Sequence, residues 1–169
     1  YCNDREVVQV NNVGGMTLTG NGAGTNESAY AGFNRTYVDH APTLKCKNKN
    51  DRFTTSSTLG NGALTNPIAL ITHDEVVMAG GTGIDFATMT FITNDNYYLY
   101  PVNENYWYWT MTPFAYSDGD AGAVLIGDFV NSYSVYVNFA VRPVVSLKSD
   151  AISGGVGTVN NPFYVNEKP

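Results

Sequence analysis

The chain has 169 residues, of which 14% are charged, with 12 Tyr and 17 Gly. That length fits one domain, the charge is well below the roughly one quarter of ordinary globular chains, and the Tyr- and Gly-rich composition favours strands and turns over long helices. A formal net charge of −6 leaves no basic surface to neutralise phosphates, which sets aside nucleic acid and an anionic membrane as partners.

From Tyr1 to Gly24, short β-type pieces are broken by Asn and Gly, the residues that admit positive φ. An irregular loop with one or two short strands is expected there. No apolar run of about 20 residues and no signal peptide is visible, and the chain opens at Tyr1. The expectation is that a leader or anchor has been trimmed or that this is an excised domain. Cys2 and Cys46 cannot make a zinc site and lack CxxC spacing. As a pair they point to a disulfide and, with the low Lys content, to an extracytoplasmic compartment.

Tyr30, Phe33 and Tyr37 recur at helical spacing behind Asn26 or Ser28 as cap, which predicts a short helix over Ser28 to Tyr37. The tripeptides starting at Asn26 and Asn34 match the glycosylation acceptor pattern, one that chance supplies often. Lys45, Lys47, Lys49 and Arg52, diluted by Asp51, read as a solvated loop. Next, Asn61-Gly62 marks a turn and Pro67 to Ile71 an apolar strand, while Thr72 with Glu75 forms a capping box. The box opens a helix from His73 to Ala79 that stops at Gly80-Gly81.

After a glycine-rich loop the text turns aromatic. Tyr97, Leu99, Trp107, Trp109 and Met111 alternate, which predicts one buried sheet face, with a turn at Pro101 and residues 103–105 between. "VRPVVSLKSD" reads as a dense apolar strand and "ISGGVGTVNNPFYV" as a glycine turn into a last strand. No repeat of fixed period and no low-complexity linker is found.

Catalytic signatures are weak. The only imidazoles, His40 and His73, do not mark the base of a triad and read as surface or capping residues. The glycines at 154, 155 and 157 lack the Lys-Ser/Thr of a phosphate loop and read as a turn. Asp118 and Asp120 flank Gly119, and Asp95 sits in "TNDN", but the spacing lacks a calcium loop with its closing Glu. Asp74 and Glu75 suit a helix N-terminus better than a general acid/base pair. No enzyme, cofactor or metal is expected.

Phe114 to Ala140, "FAYSDGDAGAVLIGDFVNSYSVYVNFA", lacks Lys, Arg, Glu, Gln, Met and Trp. Its Tyr, Ser, Asn, Asp and Gly are the mixture that serves recognition, since Tyr supplies rigid contact area and the small polar residues adaptable hydrogen bonds. Alternation assigns Val124, Ile126, Val135 and Val137 to a core and Phe114, Tyr116, Tyr133, Tyr136, Asn138 and Phe139 to a ligand. Tyr106, Tyr108, Asp118, Asp120, Phe129 and Asn131 complete the candidate ligand-binding set. The competing reading, for each aromatic, is a half-buried sheet residue. Arg142 is expected to fix its strand through a carboxylate or a backbone carbonyl.

Taken in order, the blocks "YCNDR", "PTLKC", "GNGALTNPIALIT.DEV..AGG", "YYLY", "YWTMTP", "VRPVVSLKSD" and "GTVNNPFYV" span nearly the whole chain. They resemble a group of surface proteins from gut Firmicutes, many of which carry a type IV pilin-like amino-terminal helix. The sequence also looks like the C-type lectin fold of variable proteins of diversity-generating retroelements, in which a "W…SP"-like strand and an "RP"-type strand bracket a hypervariable segment. That resemblance implies that template adenines are copied with errors, so that AAC or AAT codons reach many residues but never Lys, Glu, Gln, Met or Trp. Phe114 to Ala140 obeys the rule. The late-segment cysteines of formylglycine-generating enzymes and the "EPN" and "WND" sugar motifs of lectins are absent, so neither activity carries over.

The sequence thus leads to an α+β expectation: a single domain over residues 1–169 of C-type lectin fold, a twisted antiparallel sheet with two short helices and long loops. The expected function is that of a hypervariable ligand-binding protein, adhesin- or receptor-like and pilin-associated, displayed at the cell surface or on a pilus. It would recognise a protein or glycan on a cell, phage or host. The alternative is a structural minor pilin or tip subunit whose aromatic segment packs against its neighbours.

Overall fold

Strands and tight turns dominate, as a chain rich in Gly and Tyr dictates. The computed structural model describes residues 2, 4–8, 10–13, 16–18, 28–85, 90–93, 99, 107–117, 120–126, 130–147, 149–156, 158 and 160–165. Its strands are β1 (Val7–Val8), β2 (Val10–Val13), β3 (Met16–Leu18), β4 (Ser28–Tyr30), β5 (Ile68–Leu70), β6 (Gly81–Asp85) and β7 (Thr90–Thr93). They continue as β8 (Tyr108–Ser117), β9 (Asp120–Ile126), β10 (Val130–Ser134), β11 (Ala140–Val141), β12 (Pro143–Val145), β13 (Ile152–Gly154) and β14 (Tyr164–Val165). The helices α1 (Ala31–Phe33) and α2 (His73–Met78) are short. The main sheet runs β1-β4-β8-β9-β10, with β11 also on β8; β12–β5, β13–β14, β2–β3 and β6–β7 form two-stranded ribbons. The architecture is a mixed α+β one of few short helices and several strands in small sheets.

β8 is the spine. One edge carries β9, and the other is shared: β4 pairs at Ala115 and Tyr116, the Met111 amide donates to the Ile71 carbonyl (2.8 Å), and β11 runs parallel at Tyr108 and Trp109. Pro113 has no amide to give to the ladder, and the β8–β9 register shifts on both sides of it. Tyr108, Thr110, Thr112 and Phe114 are buried, whereas Trp107, Trp109 and Met111 are half-buried. The parity is therefore opposite to the expected one. Two threonines tolerate the interior because their hydroxyls are used: Thr112 Oγ1 accepts from the His73 amide (2.8 Å) and Thr110 Oγ1 from the Thr112 amide (3.3 Å). Tyr97 and the turn around Pro101 lie outside the described residues.

α2 forms as expected. The Glu75 amide donates to Thr72 Oγ1 (3.2 Å) and the Thr72 amide to Glu75 Oε2 (2.8 Å), the two halves of a capping box. Gly80, at φ 105°, ends the helix in a conformation that is cheap only for glycine. The helix predicted over Ser28–Tyr37 is shorter at its start. Ser28 and Ala29 pair with Tyr116 and Ala115 as strand β4, α1 begins at Ala31, and a π-helical turn, Asn34–Val38, follows. Long-range strand pairing overrides the local helical spacing there.

The core lies between these helices and the inner face of β8. Phe33 meets Phe114 edge-on (4.6 Å between centroids), and Val76 is fully buried. His73, expected at the surface, is buried against Phe33 with Nδ1 2.7 Å from Thr36 Oγ1. It is the first residue of α2, and the docking of that helix on Thr112 carries its ring inward. His40 is exposed. Beside the core, Arg35 donates to Asp74 Oδ1 (3.0 Å) and Oδ2 (2.6 Å) and to Asp4 Oδ2 (2.5 Å). Burial lowers the guanidinium's proton affinity, but the hydrogen bonds to Asp74 and Asp4 outweigh it and hold the pKa above its ordinary value.

Cys2 and Cys46 form a disulfide. Lys45, Lys47, Lys49 and Arg52 are solvent-exposed, as expected of that loop. Among the described residues no helix is long and apolar enough to cross a membrane.

Candidate ligand-binding face

A turn converts the end of the main sheet into a surface. β10 stops at Ser134, whose carbonyl accepts from the Val137 amide (3.0 Å), and residues 135–137 reverse the chain. The Ala140 amide then donates to the Trp107 carbonyl (3.0 Å), and β11 settles beside β8. This return places Phe139 between Trp109 and Tyr133, with ring centroids 5.4 Å away on each side and both contacts edge-to-face. Such contacts add about 1 kcal/mol each to the area they bury, so the three rings hold one another in place. Tyr136, on the turn, is 78% exposed and Tyr133 48% exposed; Asn138 is also exposed.

Tyr133, Tyr136, Asn138 and Phe139 therefore come together. Tyr108 (2% exposed) and Phe114 (9%) face inward on β8 and belong to the core. Tyr116 is half-buried at the far end of β8, opposite Ser28 and Ala121. Asp120 pairs with Ser117 in β9, and Asn131 stands opposite Leu125 in β10. Tyr106, Asp118 and Phe129 lie outside the described residues. Val135, assigned to a core by alternation, is 56% exposed because the turn breaks the period of two after Ser134, whereas Val137 is half-buried. Val124 and Ile126 stand in β9.

Trp109 is the member that the sequence reading missed, having been assigned to the buried side. The usable signal was Phe114, a large apolar residue of the opposite parity on the same strand. The Arg142 guanidinium lies 4.4 Å from the centroid of the Tyr108 ring, a cation–π contact.

Ser132 to Val141 contains no charged residue, so the face offers rings, hydroxyls and an amide. Tyr133, Tyr136 and Asn138 are open to solvent there and suited to area contact. A depression of about 840 Å³ lies elsewhere, lined by Arg5, Glu6, Lys47 and residues 48–51. Two of its cations are already held by carboxylates, Arg5 by Asp51 (2.8 Å) and Lys47 by Glu6 (2.6 Å). No group of three or more His, Cys, Asp or Glu side chains is placed to hold a metal among the described residues. Comparison with protein families, curated proteins and solved structures finds no match for this chain.

Proposed function

We propose that the chain is a surface-displayed ligand-binding protein of C-type lectin fold that recognises a protein or glycan through the face built on Trp109, Tyr133, Tyr136, Asn138 and Phe139. The observation that carries this reading is the aromatic tier itself. Phe139 is braced between Trp109 and Tyr133, while Tyr136 and Asn138 stand out from the turn into solvent. Preordered rings lose little entropy on binding, and exposed Tyr and Asn supply adaptable hydrogen bonds around them. The face is open and uncharged, so it fits a macromolecular surface and calls for no covalent chemistry, cofactor or metal. The role is non-enzymatic and extracellular, and the Cys2–Cys46 bridge supports that compartment.

In this reading the positions free to vary are the exposed ones, and the inward residues stay constant. Sequencing the coding locus in sibling cells tests it. Adenine-directed differences are expected at Tyr133, Tyr136 and Asn138, with Tyr108, Phe114 and Val137 unchanged. Differences scattered evenly along the gene would overturn variable recognition. An invariant aromatic segment would favour a structural pilus or tip subunit in its place.

A further inference from the structure

Arg52 to Asn61 is a compact loop closed at its foot. The Asn61 amide donates to the Arg52 carbonyl (3.2 Å), and Arg52 is itself bridged to Cys2. Asn61 also reaches across the loop, its Oδ1 accepting from the Thr54 amide (2.8 Å). The two glycines beside it differ. Gly60, at φ 60°, lies so close to Arg52 that a Cβ would collide with the Arg52 carbonyl oxygen, so packing demands glycine there. Gly62, at φ 83°, would carry a Cβ into open space, with nothing within 4 Å. Its amide donates to the Leu59 carbonyl (3.1 Å), and Asn61 is exposed. Among the described residues, Asn61 is the one asparagine that a glycine follows.

We propose that Asn61-Gly62 is a self-modification site, at which the chain converts its own asparagine to aspartate and isoaspartate with water as the only co-reactant. The Gly62 nitrogen gives up its proton to solvent base and attacks Asn61 Cγ. A new N–Cγ bond closes a succinimide ring; the Cγ–Nδ2 bond breaks, and the leaving nitrogen takes a proton from water and departs as ammonia. Water then opens the ring, at Cγ to give aspartate or at the main-chain carbonyl to give isoaspartate. Two features of the loop favour the first step. The attacking nitrogen belongs to a residue with no side chain to obstruct its approach. The Thr54 amide on Oδ1 stabilises the negative charge that gathers on that oxygen as nitrogen adds. Against the reaction stands one hydrogen bond, from Gly62 to Leu59 in a surface turn, whose opening slows it roughly 10-fold relative to an unfolded chain. Each conversion adds one negative charge to a chain that carries −6. Aspartate keeps a carboxylate acceptor for Thr54, whereas isoaspartate routes the main chain through Cβ and Cγ and so alters the closure of the loop.

Ageing the oxidised chain in mildly alkaline buffer tests it, beside the same chain reduced and held in urea. Ion exchange separates the acidic product, peptide mass mapping places the change, and an isoaspartyl methyltransferase scores the isoaspartate. Conversion is expected at Asn61 in the folded chain, at a rate no more than ~30-fold below that in urea. Gly62→Ala should slow conversion at least ~10-fold in urea, where the positive φ of that turn no longer matters. Stronger protection of Asn61 by the fold overturns the proposal, as does a Gly62→Ala chain that converts as fast as wild type. Asn21-Gly22, outside the described residues, repeats the dipeptide, and an acidic form that maps to that site alone overturns it as well.

Discussion

His73 is kept a neutral imidazole by what its two nitrogens meet. The Thr36 hydroxyl donates its one proton to the Gly32 carbonyl (2.8 Å) or the Phe33 carbonyl (3.1 Å), so Nδ1, 2.7 Å away, carries the hydrogen and donates to Thr36 Oγ1. Nε2 is buried with no hydrogen-bond partner. Adding a proton there would create a buried donor and a buried charge. Burial therefore pushes the pKa down to about 4, with Asp74 opposing the shift. The unfolded chain, at the ordinary value of about 6.5, binds the extra proton first. The stabilisation from a neutral His73 is therefore complete above pH 6.5 and lost as pH falls from 6.5 through 4. It amounts to roughly 3 kcal/mol over that window, which flattens below it. Urea unfolding of wild type and His73→Leu between pH 7.5 and 4 checks this. The wild type should lose stability across the window faster than the variant by about that amount, and parallel pH profiles would sink the idea.

At the scale of elements, α2 is the one whose start and stop are written in its own residues. Thr72 satisfies an orphan amide of the first turn and Glu75 returns the favour, so Thr72→Ala should cost about 1 kcal/mol in denaturant unfolding without changing the m-value. An unchanged midpoint would mean that the box contributes nothing beyond water. This helix was legible because its signals lie three residues apart. The Ser28–Tyr37 helix was not, because what decides Ser28 and Ala29 is their pairing with Tyr116 and Ala115, far along the chain. The face of β8 was misread for a related reason. Thr110 and Thr112 look solvent-directed by composition, and only α2 docking through the His73 amide makes their burial inexpensive. The candidate site was half legible on the same grounds. Tyr133, Tyr136, Asn138 and Phe139 follow from a turn coded nearby, whereas Tyr108 and Phe114 followed the fate of β8 into the core.

Over the described residues, ties between segments distant in sequence reinforce a small set of fully buried side chains. The fully buried side chains are few, Val76 and His73 being the largest of them among the described residues. Meanwhile the amino-terminal strip is fastened at several points. The Arg5 amide and Nε donate to Asp51 (3.0 and 2.8 Å), the Ala31 amide donates to the Glu6 carbonyl (2.8 Å), Val7 pairs with Tyr30, and Asp4 receives Arg35. The Cys2–Cys46 bridge closes this arrangement across a separation of 44 residues. A loop of that size implies about 4 kcal/mol of chain entropy removed from the unfolded state, at the upper end of the usual range. With a total stability of order 10 kcal/mol for such a chain, that share is large. Cys2→Ser/Cys46→Ser, which removes the covalent link and leaves no lone thiol, should lower Tm by on the order of 10 °C in scanning calorimetry. Below that transition the edge-to-face contacts of Trp109, Phe139 and Tyr133 should persist in the near-ultraviolet spectrum, because all three rings are fixed to β8 and its neighbours. An unshifted Tm would show that the ion pairs and strand pairing alone hold the amino-terminal strip in place; loss of the aromatic signal together with the strip would show that face and strip unfold as one unit.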